Sequence, residues 1–94
     1  MSQRCFFDSV EFLRYDRERQ AIVTHVQFNQ GKRIPCFIDA KWLSEKEGRE
    51  VFAPPKVLKR LACRHYEDIK VEIRRRILDE NFDGESIFLT GPVA

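Results

Sequence analysis

Between Ala21 and Ile38 the chain carries two alternating runs separated by a single glycine, and the register they require is its tightest constraint on folding. Ile22, Thr24, Val26 and Phe28 fall on one face of an extended segment, with Val23, His25 and Gln27 on the other, the two-residue period of a half-buried strand. Asn29-Gln30-Gly31 suits a three-residue hairpin loop: two residues in a type I turn, then Gly31 in the left-handed region of a G1 bulge. That loop sets Phe28 opposite Lys32, Val26 opposite Ile34, Thr24 opposite Cys36 and Ile22 opposite Ile38, so the apolar residues of both strands share one face. A two-residue loop at Gln30-Gly31 would turn Ile34, Cys36 and Ile38 toward the polar face, a slip that any buried face opposes. Pro35 lacks an N–H and is expected at an edge or with its missing donor directed away from the ladder.

The second constraint is the run from Pro55 to Asn81, which reads as one long basic amphipathic helix. Proline is tolerated at a first helical position, where its N–H would lack a partner anyway. Leu58, Leu61, Ala62, His65, Ile69, Ile73 and Ile77 then recur at spacings of three and four and define one buried stripe, with Val57, Tyr66, Val71 and Leu78 off its centre. Upstream, Val10 to Tyr15 is rich in strand formers, and Asp16-Arg17-Glu18-Arg19 is a polar break suited to a turn. Asp39 can cap a short helix from Ala40 that turns Trp42 and Leu43 inward and stops at Gly48. After a turn at Asp83-Gly84, Ser86 to Thr90 reads as a last strand. The order of elements predicts an α+β fold: a small antiparallel sheet of three to four strands packed on one long helix plus a short helix, in two layers. Residues 1–94 are expected to form a single domain, since 94 residues at 43% apolar composition support one core and little more.

No stretch approaches the roughly 18 to 20 apolar residues that span a bilayer, and Met1-Ser2-Gln3-Arg4-Cys5 lacks the charged and apolar regions of a secretory leader. A cytoplasmic location without membrane contact is the expectation. Cys5, Cys36 and Cys63 are odd in number and widely spaced, which fits neither a disulfide framework nor a zinc knuckle and points to free, mostly buried thiols. The net charge of +2 does not by itself imply nucleic acid, but it is unevenly placed: Pro55 to Asn81 holds eight basic residues against five acidic ones.

Few residues suggest chemistry. Cys63 and His65 are two helical positions apart, about 200° around the axis, and cannot share a metal or work as nucleophile and base. His65 lies on the apolar stripe as a core or rim histidine held by a neighbour, and His25 lies on the strand face opposite the core. No spacing supports a metal site or a cofactor, and no phosphate loop, nucleophile elbow or His-Glu-x-x-His run is present. Arg74-Arg75-Arg76 splays around the helix, where Glu72, Asp79 and Glu80 lie at pairing distance in sequence. The better nucleic-acid candidate is the row Lys56, Arg60 and Arg64, aligned at spacings of four.

Several elements fall in an order that resembles the short bacterial proteins known as domain of unknown function 1488. Tyr15-Asp16 leads through Arg19 to the strand Ile22 to Phe28. Gly31, Ile34-Pro35-Cys36-Phe37-Ile38, Leu43, Arg76-Ile77 and the tail Asp83-Gly84-Glu85-Ser86-Ile87-Phe88-Leu89-Thr90 follow. Members often carry a His-Arg or Asn-Arg pair ahead of the helix isoleucine; here His65-Tyr66 precedes Ile69, with Arg64 one place earlier. The resemblance implies a compact α+β domain and brings no activity or catalytic residues with it.

The resulting expectation is a non-enzymatic accessory or protein-interaction module, self-associating or bound to a protein partner, with the overhanging end of the long helix as its docking element. Nucleic-acid binding through Lys56, Arg60 and Arg64 is the alternative. An enzyme is the second alternative, and it requires a sizeable pocket with several perturbed titratable groups.

Overall fold

A computed structural model describes residues 5–28, 31–51, 54–79 and 84–90. Strands β1 (Cys5–Phe7), β2 (Arg14–Asp16), β3 (Ala21–Phe28), β4 (Lys32–Asp39) and β5 (Ile87–Leu89) form a five-stranded sheet. Helices α1 (Ala40–Glu47), α2 (Pro55–Arg64) and α3 (Tyr66–Leu78) lie between β4 and β5 in the chain. The architecture is α+β, and its sheet is larger than the three to four strands expected.

The hairpin has the register its alternation requires. Ile22 pairs with Ile38, Thr24 with Cys36, Val26 with Ile34 and Phe28 with Lys32. Ile22, Thr24, Val26, Ile34, Cys36 and Ile38 are all buried on the helix-facing side. Gly31 adopts φ 118°, where a side chain would be strained; Asn29 and Gln30, which carry the rest of the expected turn, lie outside the described residues. The ladder to β5 begins at Cys36, one residue beyond Pro35.

Val10 to Tyr15 is not one strand. Asp8 donates its N–H to the His25 carbonyl, one step past β1, and the chain then leaves the ladder. Val10–Phe12 forms a 3₁₀ turn capped by Ser9, whose hydroxyl accepts from the Glu11 N–H at 3.3 Å. Pairing resumes as β2, so β1 and β2 share one edge of β3 as two halves of an interrupted strand. The Asp16 break is a turn, with Asp16 Oδ1 accepting from the Glu18 and Arg19 N–H groups at 2.9 and 3.2 Å.

β5 is parallel to β4, which corrects the expected all-antiparallel sheet. Parallel neighbours need a crossover connection, and α1, α2 and α3 together supply it by returning the chain to the end of the sheet where β4 begins. α1 starts directly from β4: Asp39 Oδ1 accepts from the Trp42 N–H at 2.8 Å, and Gly48 closes the helix at φ 72°. The Ser44 hydroxyl then accepts from the Val51 N–H at 2.8 Å and turns the connection back toward the core.

The long helix is also corrected, because it breaks at His65, where φ −101° and ψ 19° leave the helical range. Its expected end at Asn81 lies outside the described residues. A straight helix over the whole run would extend about 40 Å, against about 27 Å for an eight-residue strand. Both halves touch the sheet, α2 at β2 and β3 and α3 at β5. The break also exchanges two residues: the buried stripe runs Leu58, Leu61, Ala62, Tyr66, Ile69, Ile73 and Ile77, with Tyr66 where His65 was expected. Tyr66 Oη donates to the Asp8 carbonyl, so Thr24 Oγ1, 3.0 Å away, is the donor to Tyr66. His65 turns instead to α1, where its Nε2–H donates to Glu47 Oε2 at 2.8 Å beside Arg64, whose Nη1 is 3.0 Å from Glu47 Oε1.

Two predictions follow from these contacts. Tyr66→Phe leaves the buried Thr24 hydroxyl without its acceptor and the Asp8 carbonyl without its donor; it should cost about 1–3 kcal/mol in denaturant unfolding. Adding Thr24→Val should recover part of that loss. The Glu47 carboxyl is held below the ordinary glutamate range, first by the His65 hydrogen bond and then by Arg64, with burial opposing. As pH falls, the unfolded chain therefore binds this proton before the folded one does, and the contribution is lost below the ordinary glutamate value. Urea midpoints taken from about pH 5 to about pH 3 should fall less steeply in Glu47→Gln than in the parent.

Candidate functional site

The helices cover one face of the sheet, and the hairpin register assigns Val23, His25, Gln27, Arg33, Pro35 and Phe37 to the other. On this outer face Ala21, Val23 and Phe37 form a second small apolar cluster. Phe88 of β5 stacks on Phe37 with ring centroids 5.1 Å apart and remains 42% exposed. The Arg19 guanidinium lies over the opposite part of the cluster, 4.6 Å from the Phe37 centroid. Among the described residues no second layer covers this face, and Phe6 of β1, at its opposite corner, is 63% exposed. Charged residues of both signs rim the cluster: Arg14, Arg17 and Arg19 against Asp16, Glu18 and Asp39.

A cleft of about 480 Å³ opens where β1, β2, β3 and β4 meet the flank of α2. Its polar lining is Asp8, Glu11, Arg14, His25, Arg33 and Lys59. Asp8 organises it. The Asp8 N–H and carbonyl are fixed by His25 and Tyr66, and its carboxylate meets Arg33 Nη2 at 2.6 Å and His25 Nδ1 at 3.7 Å. Burial pushes the His25 imidazole below its ordinary value, and Arg33 and then Arg14 add to this against the opposing pull of Asp8. Arg14 and Lys59 form no ion pair among the described residues. A groove of about 540 Å³ adjoins the cleft across Arg14 and His25 and runs over Val23, Pro35 and Phe37.

Lys56, Arg60 and Arg64 all lie on the exposed side of α2. The structure brings Arg64 to Glu47, whereas Lys56 and Arg60 form no ion pair among the described residues. Glu72 pairs with Arg75 at 3.5 Å and Arg76 at 3.7 Å, as the spacing predicts, while Arg74 turns to the Phe7 ring. Cys36 is a buried free thiol and Cys63 an exposed one; the side chain of Cys5 lies outside the described residues. Among the described residues no group of three or more His, Cys, Asp and Glu could hold a metal ion, and no helix is long and apolar enough to cross a membrane.

The cleft was not visible as a motif, since its residues come from five separated segments. One signal for it exists in the hairpin register, which places Arg33 and Pro35 beside His25 on the outer face. The pocket required by an enzyme is present as a cleft in which burial shifts the His25 imidazole, and no Ser, Thr or Cys is among its lining residues.

The chain matches the family model described as protein of unknown function (DUF1488) over residues 6–89. It is also similar to the crystal structure of a protein of unknown function from the DUF1488 family of Shewanella loihica PV-4. The two share 27% identity and a TM-score of 0.79, with 97% of each chain covered. No curated protein matches. The family match spans nearly all of the sheet and every helix described above, and the chain belongs to the DUF1488 family of proteins of unknown function.

Proposed function

We propose that this chain, acting as a single domain, is a non-enzymatic bacterial interaction module that self-associates through the open face of its sheet. The observation that carries the reading is Phe88, 42% exposed where it stacks on the buried Phe37, on a face that no further layer covers among the described residues. A second copy suits this surface because a two-fold contact requires a self-complementary patch. Three arginines and three acids around an apolar centre can pair across such an axis, whereas a polyanion would meet as much repulsion as attraction. A cytoplasmic setting belongs to the same proposal, supported by the exposed thiol of Cys63.

Sedimentation velocity over a wide concentration range should show a reversible monomer–dimer equilibrium in the parent chain. Phe88→Glu places a charge at the centre of the contact and should shift the equilibrium to monomer, with the helical circular dichroism retained. A parent chain that stays monomeric at several hundred micromolar, on the order of a weak complex's dissociation constant, removes the proposal.

A second reading is nucleic-acid binding through Lys56, Arg60 and Arg64, favoured by the exposure of all three on one side of α2. The Glu47 contact leaves Arg64 the weakest member of that row. Affinity for duplex DNA should then fall with salt at a slope of about −0.9 per phosphate contact, and Lys56→Ala with Arg60→Ala should flatten it by about two such contacts. No retention at about 50 mM salt disposes of this reading.

A further inference from the structure

We infer that the cleft lined by Arg14, His25, Arg33 and Lys59 is an anion site that binds a phosphoryl group. Four nitrogen-bearing side chains from β2, β3, β4 and α2 line one cleft, and they include two guanidinium forks, one ammonium and one imidazole. Donors arriving from several directions suit a tetrahedral dianion with several acceptor oxygens better than a planar carboxylate, which a single guanidinium fork satisfies.

The countercharges are unequal to these cations. Asp8 is occupied by Arg33 at 2.6 Å and by His25 at 3.7 Å, so it orients those two side chains as much as it neutralises them. Glu11 is the other acid in the lining, and Arg14 and Lys59, the remaining cations, are not ion-paired among the described residues. With His25 neutral the lining holds three cations against two anions, and a protonated His25 raises the excess by one. A dianion would offset that excess and favour the imidazolium, which burial, Arg33 and Arg14 together disfavour.

The test uses the full chain and imidazole-detected NMR, with inorganic phosphate titrated against sodium chloride at matched ionic strength. His25 should shift saturably with phosphate, with a dissociation constant of about 1 mM, and its pKa should rise when phosphate is bound. His65, outside the cleft, should not follow. Arg14→Ala combined with Lys59→Ala should weaken the effect at least tenfold, and Glu11→Gln should strengthen it. Both Arg14 and Lys59 are exposed, so this double variant should fold, and retained helical circular dichroism checks that it does. A parallel titration with ribose 5-phosphate separates the sources of the phosphoryl group. Tighter binding than inorganic phosphate identifies a phosphate ester reaching into the adjoining groove, and equal binding identifies the free ion. A His25 response no larger than that to chloride, or one unchanged in the double variant, overturns the inference.

Discussion

Tyr66 Oη is the point where both layers of the fold are joined by polar contacts, and much of the remaining geometry follows from what it must satisfy. A phenol at this depth needs partners, because a buried hydroxyl without a hydrogen bond costs about as much as several well-packed methylenes contribute. It accepts from Thr24 on the central strand and donates to the Asp8 carbonyl at the end of β1. The burial that raises the Tyr66 pKa also makes both bonds difficult to replace. To reach them the helical run has to present Tyr66 inward, and the break at His65 accompanies that turn. To provide the second bond, β1 has to end at Asp8 and leave the ladder, which accompanies the 3₁₀ turn between β1 and β2.

Asp8 carries this constraint from the core to the surface. Its backbone is fixed by Tyr66 and His25, so its carboxylate has little freedom, and Arg33 and His25 are arranged around it. The outer cleft is therefore preorganised by a hydrogen bond made on the opposite side of the sheet. Such support from a rigid backbone distinguishes the cluster from ordinary surface ion pairs, which contribute little because two flexible side chains must be ordered to make them. His65 and Glu47 make the corresponding link at the other side of the helix break, between α1 and the α2–α3 junction.

The β3–β4 hairpin is legible in the sequence down to its register, because a two-residue period with one buried face admits a single pairing. α1 is equally legible, since Asp39 and Gly48 act through local backbone geometry. The helix break is not, because His65 and Tyr66 both fit a spacing of three or four from Ala62 and Ile69, and the choice between them is made by Thr24, 42 residues away in sequence. The parallel direction of β5 is hidden for a related reason: Ile87–Leu89 has the same composition in either direction, and the path of the preceding helices decides. β1 and β2 are three residues each, too short for any period to declare them. Of the candidate site, His25 is legible as an outer-face residue, whereas Asp8, Arg14 and Lys59 join it only through tertiary structure.

The two proposed surfaces share one sheet face and differ in what their residues can do there. Phe88 of β5 stacks beside Phe37 of β4, while the cleft takes Arg33 from the opposite end of β4, four residues or about 13 Å along the strand, together with His25 of β3 and Arg14 of β2. Around Phe37 and Phe88 the exposed ring is apolar and the charges of β2 and the β2–β3 turn that rim the cluster balance, which favours exclusion of water by a second copy. In the cleft the cations outnumber the acids, which favours a hydrated anion held by several donors. Arg14 and the row through Val23 and Phe37 connect the two, because Arg14 pairs with Val23, Val23 with Phe37 and Phe37 with Phe88. An anion drawing Arg14 into the cleft would remove one positive charge from the rim of the self-association surface. The two occupancies would then be energetically linked through that side chain, each altering the other's affinity by the same factor.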